Sequence, residues 1–75
     1  MSVEEFNLLA DIRRKGGKIY SYEIPPSAQA LIDDLVNKGY LVRKEKIIVK
    51  PTPFGGKVRV RLTYYVLSQK AKKLF

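Results

Sequence analysis

The sequence predicts an α+β domain in which helices fill the first half and a long basic β-hairpin, closed by a short helix, fills the second. Three observations carry this. Ala28, Leu31, Ile32, Leu35 and Val36 stand at helical spacing and form one apolar stripe. The runs on either side of Pro51-Thr52-Pro53-Phe54-Gly55-Gly56 are β-branched and alternate with a period of two. With 75 residues the chain has enough material for one modest core, so a single domain over 1–75 is expected.

The first helix is expected from about 3 to 15. Ser2 and Glu5 have the form of a capping box, in which the Ser side chain and the Glu three residues on satisfy each other's backbone donors. Val3, Phe6, Leu9, Ala10 and Ile12 form its apolar side. Arg13, Arg14 and Lys15 suit the negative end of the helix dipole, and Gly16-Gly17 ends the helix. Lys18 to Tyr22 has a short β-strand pattern. Ile24 precedes proline and is biased away from helix. Pro25-Pro26-Ser27 opens the second large helix, about 27–38, which Lys38-Gly39 stops. Its solvent face shows Ser27, Gln29, Ala30, Asp33, Asp34 and Asn37. Tyr40 to Lys50 and Lys57 to Leu67 are the hairpin strands. Pro51 and Pro53 cannot continue a ladder, and Gly55-Gly56 permits positive φ. Val58, Val60, Leu62, Tyr64 and Val66 are uniformly apolar and are expected to face the core, leaving Arg59, Arg61 and Thr63 outward. Ser68 caps a final helix with Ala71, Leu74 and Phe75 on its apolar side.

Composition removes several function classes. The chain has no cysteine, so disulfides and thiolate chemistry are unavailable, and no histidine, the commonest general base and metal ligand. Seven carboxylates without a glycine-rich phosphate loop give no catalytic constellation, so an enzyme is not expected, nor is a cofactor, a metal or a small-molecule ligand. The acidic start differs from a basic signal peptide, and no apolar run reaches the ~18 residues of a membrane span. A cytoplasmic protein, or one of the host cytoplasm if viral, is the expectation.

The net charge of +8 is unevenly placed. Residues 1–36 carry four Lys/Arg against six Asp/Glu, a net −2. Residues 37–75 carry eleven against Glu45 alone, a net +10. A clustered positive field of this kind points to a polyanion, nucleic acid before an anionic membrane.

Two segments carry a family resemblance. Leu31-Ile32-Asp33-Asp34-Leu35-Val36-Asn37-Lys38-Gly39-Tyr40-Leu41-Val42-Arg43 resembles a recognition helix leading through glycine into a wing strand. Tyr65-Val66-Leu67-Ser68-Gln69-Lys70-Ala71-Lys72-Lys73-Leu74 is similar to the exit of a wing into a last helix. Both are found in winged helix-turn-helix regulators, especially the multiple-antibiotic-resistance-regulator and PadR-like groups and small archaeal or archaeal-virus proteins. The resemblance covers residues 3–75. It implies a winged helix-turn-helix with a two-stranded wing and a short C-terminal helix, acting as a homodimer in sequence-specific binding of double-stranded DNA and in transcription regulation. The chain departs from the pattern at one place. Only residues 18–26 lie between Gly17 and Ser27, room for about one helical turn, so the second helix is abbreviated.

The resemblance places Ser27, Gln29, Ala30 and Asp33 toward the major groove. Gln can bond adenine through two hydrogen bonds and Ala can touch a thymine methyl. Asp33 and Asp34 oppose a phosphate backbone, and a scaffold helix with a solvated face is the competing reading. The basic wing, 44–61, has Lys44, Lys46 and Lys50 on one strand and Lys57, Arg59 and Arg61 on the other, toward phosphates or the minor groove. Like charges on paired strands destabilise a hairpin, although edge lysines also block aggregation. Phe54 at the tip either wedges between base steps, folds back on its turn, or meets a partner subunit. The five tyrosines have the look of a stacking set but fall at core-compatible positions and are read as core, with Tyr20 or Tyr22 reaching a phosphate. A second functional reading is a winged helix used for protein assembly or structured RNA. The dimer is expected to form through the first helix or the Ala71, Leu74 and Phe75 face.

Overall fold

A computed structural model describes all residues, Met1–Phe75. The elements are α1 (Val3–Arg14), β1 (Lys18–Tyr20), α2 (Gln29–Asn37), β2 (Leu41–Pro51), β3 (Lys57–Leu67) and α3 (Gln69–Lys72). Two single turns of 3₁₀ helix, Ser21–Glu23 and Pro26–Ala28, fill the short segment between β1 and α2. The strands form one antiparallel sheet in the order β1-β3-β2, so β3 is central and β2 is an edge. No helix is long and apolar enough to cross a membrane.

Local sequence chemistry sets most boundaries. Ser2 accepts from the Glu5 N–H at 3.1 Å and the Glu5 carboxylate accepts from the Ser2 N–H at 3.3 Å, closing the capping box of α1. At the end of α2, Gly39 takes φ +83°, and the Tyr40 N–H donates to Leu35 O while Gly39 N–H donates to Val36 O. That left-handed residue turns the chain into β2. Ser68 caps α3 by accepting from Ala71 N–H.

α1 buries a different stripe from the expected one. Glu5, Leu9 and Ile12 are buried with Leu8 half-covered, whereas Val3 and Phe6 lie exposed. Positions 5, 8, 9 and 12 have the same helical spacing as the apolar set, rotated toward a charged residue. Glu5 can occupy this inner position because Lys38 Nζ donates to both of its oxygens, at 3.0 and 3.1 Å. The second large helix also starts later than position 27. Pro26 begins a 3₁₀ turn, and α2 proper begins at Gln29 with Ala28 as an N-cap that supplies no side-chain bond. Its inner face is as expected: Ile32 and Leu35 are fully buried.

The largest difference concerns β3. Its buried residues are Tyr65 and Leu67, on the odd face, joined by Leu41 and Ile19 from the paired strands. The helices cover this face at the base of the hairpin. The even face, with Val58, Val60, Leu62, Tyr64 and Val66, contains no buried residue, and the 3₁₀ turn Ser21–Glu23 reaches its base through Tyr22. Period two in the outer hairpin therefore marks two solvent-facing sides rather than an inside and an outside. Near the base both faces of β3 are apolar, so alternation could not say which one the helices take.

Pro51 ends β2 within the ladder, opposite Lys57, rather than breaking it. An edge strand tolerates proline because its outward N–H has no partner to lose. Thr52 and Gly56 close the hairpin, with Thr52 N–H donating to Gly56 O at 2.8 Å. Pro53-Phe54-Gly55 forms the loop, and Gly55 takes φ +85°, the left-handed position of three-residue hairpin loops.

Candidate nucleic-acid interface

The hairpin separates its cations by face. Antiparallel partners point the same way. Lys44 stands opposite Tyr64, Lys46 opposite Leu62 and Lys50 opposite Val58, all on the open even face. Arg61 stands opposite Ile47 and Arg59 opposite Val49, on the odd face. Every one of these cations thus has an apolar cross-strand partner. The like-charge repulsion expected between the strands is absent, because the two cationic rows lie on opposite sides of the ribbon. Arg43, which the sequence reading did not select, joins Arg59 and Arg61 on the odd side; its odd position in β2 was the available signal.

The only acid among these residues is Glu45, and it sits on the odd side. Arg43 Nη2 is 3.2 Å from it and Arg61 Nε 3.9 Å. Arg59, Lys44, Lys50 and Lys57 make no ion pair. Lys46 instead donates to Tyr20 Oη at 2.8 Å. That bond, and next to it the nearby Lys18 ammonium, hold the Tyr20 phenol below its ordinary range, and the same phenol raises the Lys46 ammonium. The tip is fully presented. Phe54 is 98% exposed, so it does not fold back on its own turn. Ile47 and Val49 on the odd face are exposed as well.

α2 presents Ala30 and Asp33 to solvent and Gln29 half-covered, and Ser27 is exposed in the 3₁₀ turn before it rather than on the helix. Gln29 Nε2 donates to Asp33 Oδ1 at 3.0 Å, so the amide best suited to reading a base is engaged by a carboxylate one turn on. Any base contact by Gln29 must exchange that bond for one to the base.

The tyrosines are placed differently from the expected core set. Tyr65 alone is buried, Tyr20, Tyr40 and Tyr64 are half-covered, and Tyr22 is 72% exposed. Tyr20 stacks on Tyr22 with ring centroids 5.4 Å apart and 13° between planes, and Tyr64 lies 5.8 Å from Tyr20. Register explains the group: Tyr20 pairs with Tyr64 across β1 and β3, on the open face. The alternation Lys18, Tyr20, Tyr22 was its only trace in the sequence. No cluster of three or more His, Cys, Asp or Glu side chains is present. Comparison with known proteins returns no matching family model, no matching curated protein and no matching solved structure.

Proposed function

We propose that this chain binds double-stranded DNA in the manner of a winged helix-turn-helix regulator. In this reading α2 lies at the major groove and the β2–β3 hairpin is the wing. The observation that carries it is the cation arrangement of the hairpin. Arg59 and Arg61 project from one side and Lys44, Lys46 and Lys50 from the other, with an exposed Phe54 between them at the tip. A groove has two phosphate walls, and a ribbon charged on both sides can address both at once. Phe54 then meets the base steps, where an apolar wedge unstacks and kinks the duplex. The order of the elements, with one 3₁₀ turn where a second helix would stand, is compatible with this fold.

Duplex binding measured against salt tests the proposal, because each phosphate contact adds about 0.9 to the slope of log affinity on log salt. Arg59→Ala weakens all duplex sequences alike and lowers the slope by about 1. Arg61→Ala does less, since Glu45 already shares that guanidinium. Gln29→Ala changes sequence preference rather than overall affinity. Absence of duplex binding at low salt defeats the reading. Two modules on a repeated site enlarge the small footprint of one, and the apolar surface for pairing is where Phe6 and Phe75 meet, 5.4 Å between centroids, beside exposed Val3 and Leu74. Sedimentation that stays monomeric at all concentrations removes the homodimer.

A second reading, protein assembly or structured RNA, draws support from the exposed Asp33 and Asp34 on α2 and from the solvent-facing Phe54. It predicts that Phe54→Ala abolishes function while Arg59→Ala and Arg61→Ala do not.

A further inference from the structure

The base of the open sheet face serves no part of the core, and of its residues only Lys44 and Lys46 belong to the duplex contacts just described. Tyr20 and Tyr22 form a near-parallel stack there, and the outer ring, Tyr22, is exposed. Lys18 Nζ lies 5.3 Å from the Tyr20 centroid and 5.4 Å from that of Tyr64. Beside this group is a shallow cavity of about 450 Å³ in which Lys18, Lys44 and Lys72 converge next to Gly17 and Val66, with no carboxylate in its lining. Across the whole even face, from Lys18 and Tyr20 through Val42–Lys50 to Val58–Val66, there is no acidic residue.

We propose that this face binds single-stranded nucleic acid, with a base stacked on Tyr22 and the phosphates following Lys18, Lys44 and Lys72. Charge selects a polyanion for this surface. The aromatic platform selects an unpaired strand, because a duplex keeps its base faces stacked internally and offers none to a ring. A second copy of the chain is a poor occupant, since a symmetric pairing of two such faces sets lysines against lysines. The site shares Lys44 with the duplex reading but adds Lys18, Lys72 and base stacking on Tyr22, none of which that reading needs, so either can fail alone.

The test is fluorescence anisotropy of a labelled oligothymidine of about 12 nucleotides, a length within the range single-strand platforms cover, with oligouridine and a duplex run in parallel. Wild type binds the unpaired strand. Tyr22→Ala weakens that binding about tenfold, the loss expected for one stacked base. Lys18→Ala weakens it as well, while Arg59→Ala, on the opposite face, does not. Binding of oligouridine in place of oligothymidine assigns the site to RNA. The proposal is overturned if wild type binds no unpaired strand, if Tyr22→Ala with an unaltered circular-dichroism spectrum binds as tightly as wild type, or if Arg59→Ala is as damaging as Tyr22→Ala.

Discussion

Glu5 illustrates how one residue takes two roles through a contact the sequence does not display. Its place in the capping box is legible from Ser2, three positions earlier. Its burial at 6% exposure and its pairing with Lys38, 33 positions later, are not. The Lys38 bond is the main cause that lowers the Glu5 pKa from its ordinary 4.5, and Glu5 in turn raises Lys38 from 10.5. A lowered carboxylate contributes stability above its unfolded pKa and loses it as pH falls through the folded value. A raised lysine contributes below its unfolded pKa and loses it as pH rises through the folded value. The pair therefore stabilises across the range between 4.5 and 10.5 and weakens outside it. Urea midpoints followed from neutral pH into acid should fall below pH 4.5 in wild type and fall less in Lys38→Met, whose Glu5 has lost its partner. An unchanged acid limb in the variant contradicts this account. Phe54 is the other residue whose setting the sequence left open, because tip residues have no periodic neighbours to place them. The closed Thr52–Gly56 turn holds it outward.

Among the elements, the hairpin is where sequence and structure part. Its strand ranges were legible almost to the residue, since β-branched runs, prolines and glycines mark ends directly. Its orientation was not. The helices pack against Leu41, Tyr65 and Leu67, and beyond them the ribbon leaves the core with both faces wet. Backbone hydrogen bonds there have no fully buried side chain over them, only half-covered ones such as Ile48, Val60 and Leu62, the condition for local opening below the global free energy. Native-state hydrogen exchange should therefore be faster for amides of 46–50 and 58–62 than for 41–43 and 65–67. Equal protection along both strands would mean that the outer ribbon is covered by a partner or by a second copy. α2 shows the reverse case: its stripe was correctly read because the opposite face holds Gln29, Asp33, Asp34 and Asn37 with no large apolar residue, so only one face could go inward.

At the scale of the molecule, the chain is long rather than round. Its radius of gyration is 14.7 Å and its extents 49 × 25 × 21 Å, against about 11 Å expected for a compact domain of this length. The projecting ribbon accounts for the difference, as 11 strand residues span about 35 Å at ~3.3 Å each. What remains packs around ten buried residues, nine of them apolar. So small a core leaves little reserve. Leu35→Ala should cost about 2–5 kcal/mol, a large share of the ~5–15 kcal/mol typical of a whole domain. Chemical denaturation should show a markedly lower midpoint, and a loss under 1 kcal/mol would mean that Leu35 is not central to packing.

The sequence by itself determined the order and approximate ends of the helices and hairpin strands, and the concentration of positive charge after residue 36. Caps, turn residues and periodicity act over a few neighbours, and charge is a sum that needs no coordinates. Tertiary structure alone decided which side of β3 meets the helices, that Glu5 and Lys38 meet, and that Lys18, Tyr20, Tyr22 and Tyr64 gather on one open face. Those outcomes depend on strand register and on which surface the helices cover. Register pairs residues far apart in the chain, and a strand apolar on both faces carries no local mark of its inner side.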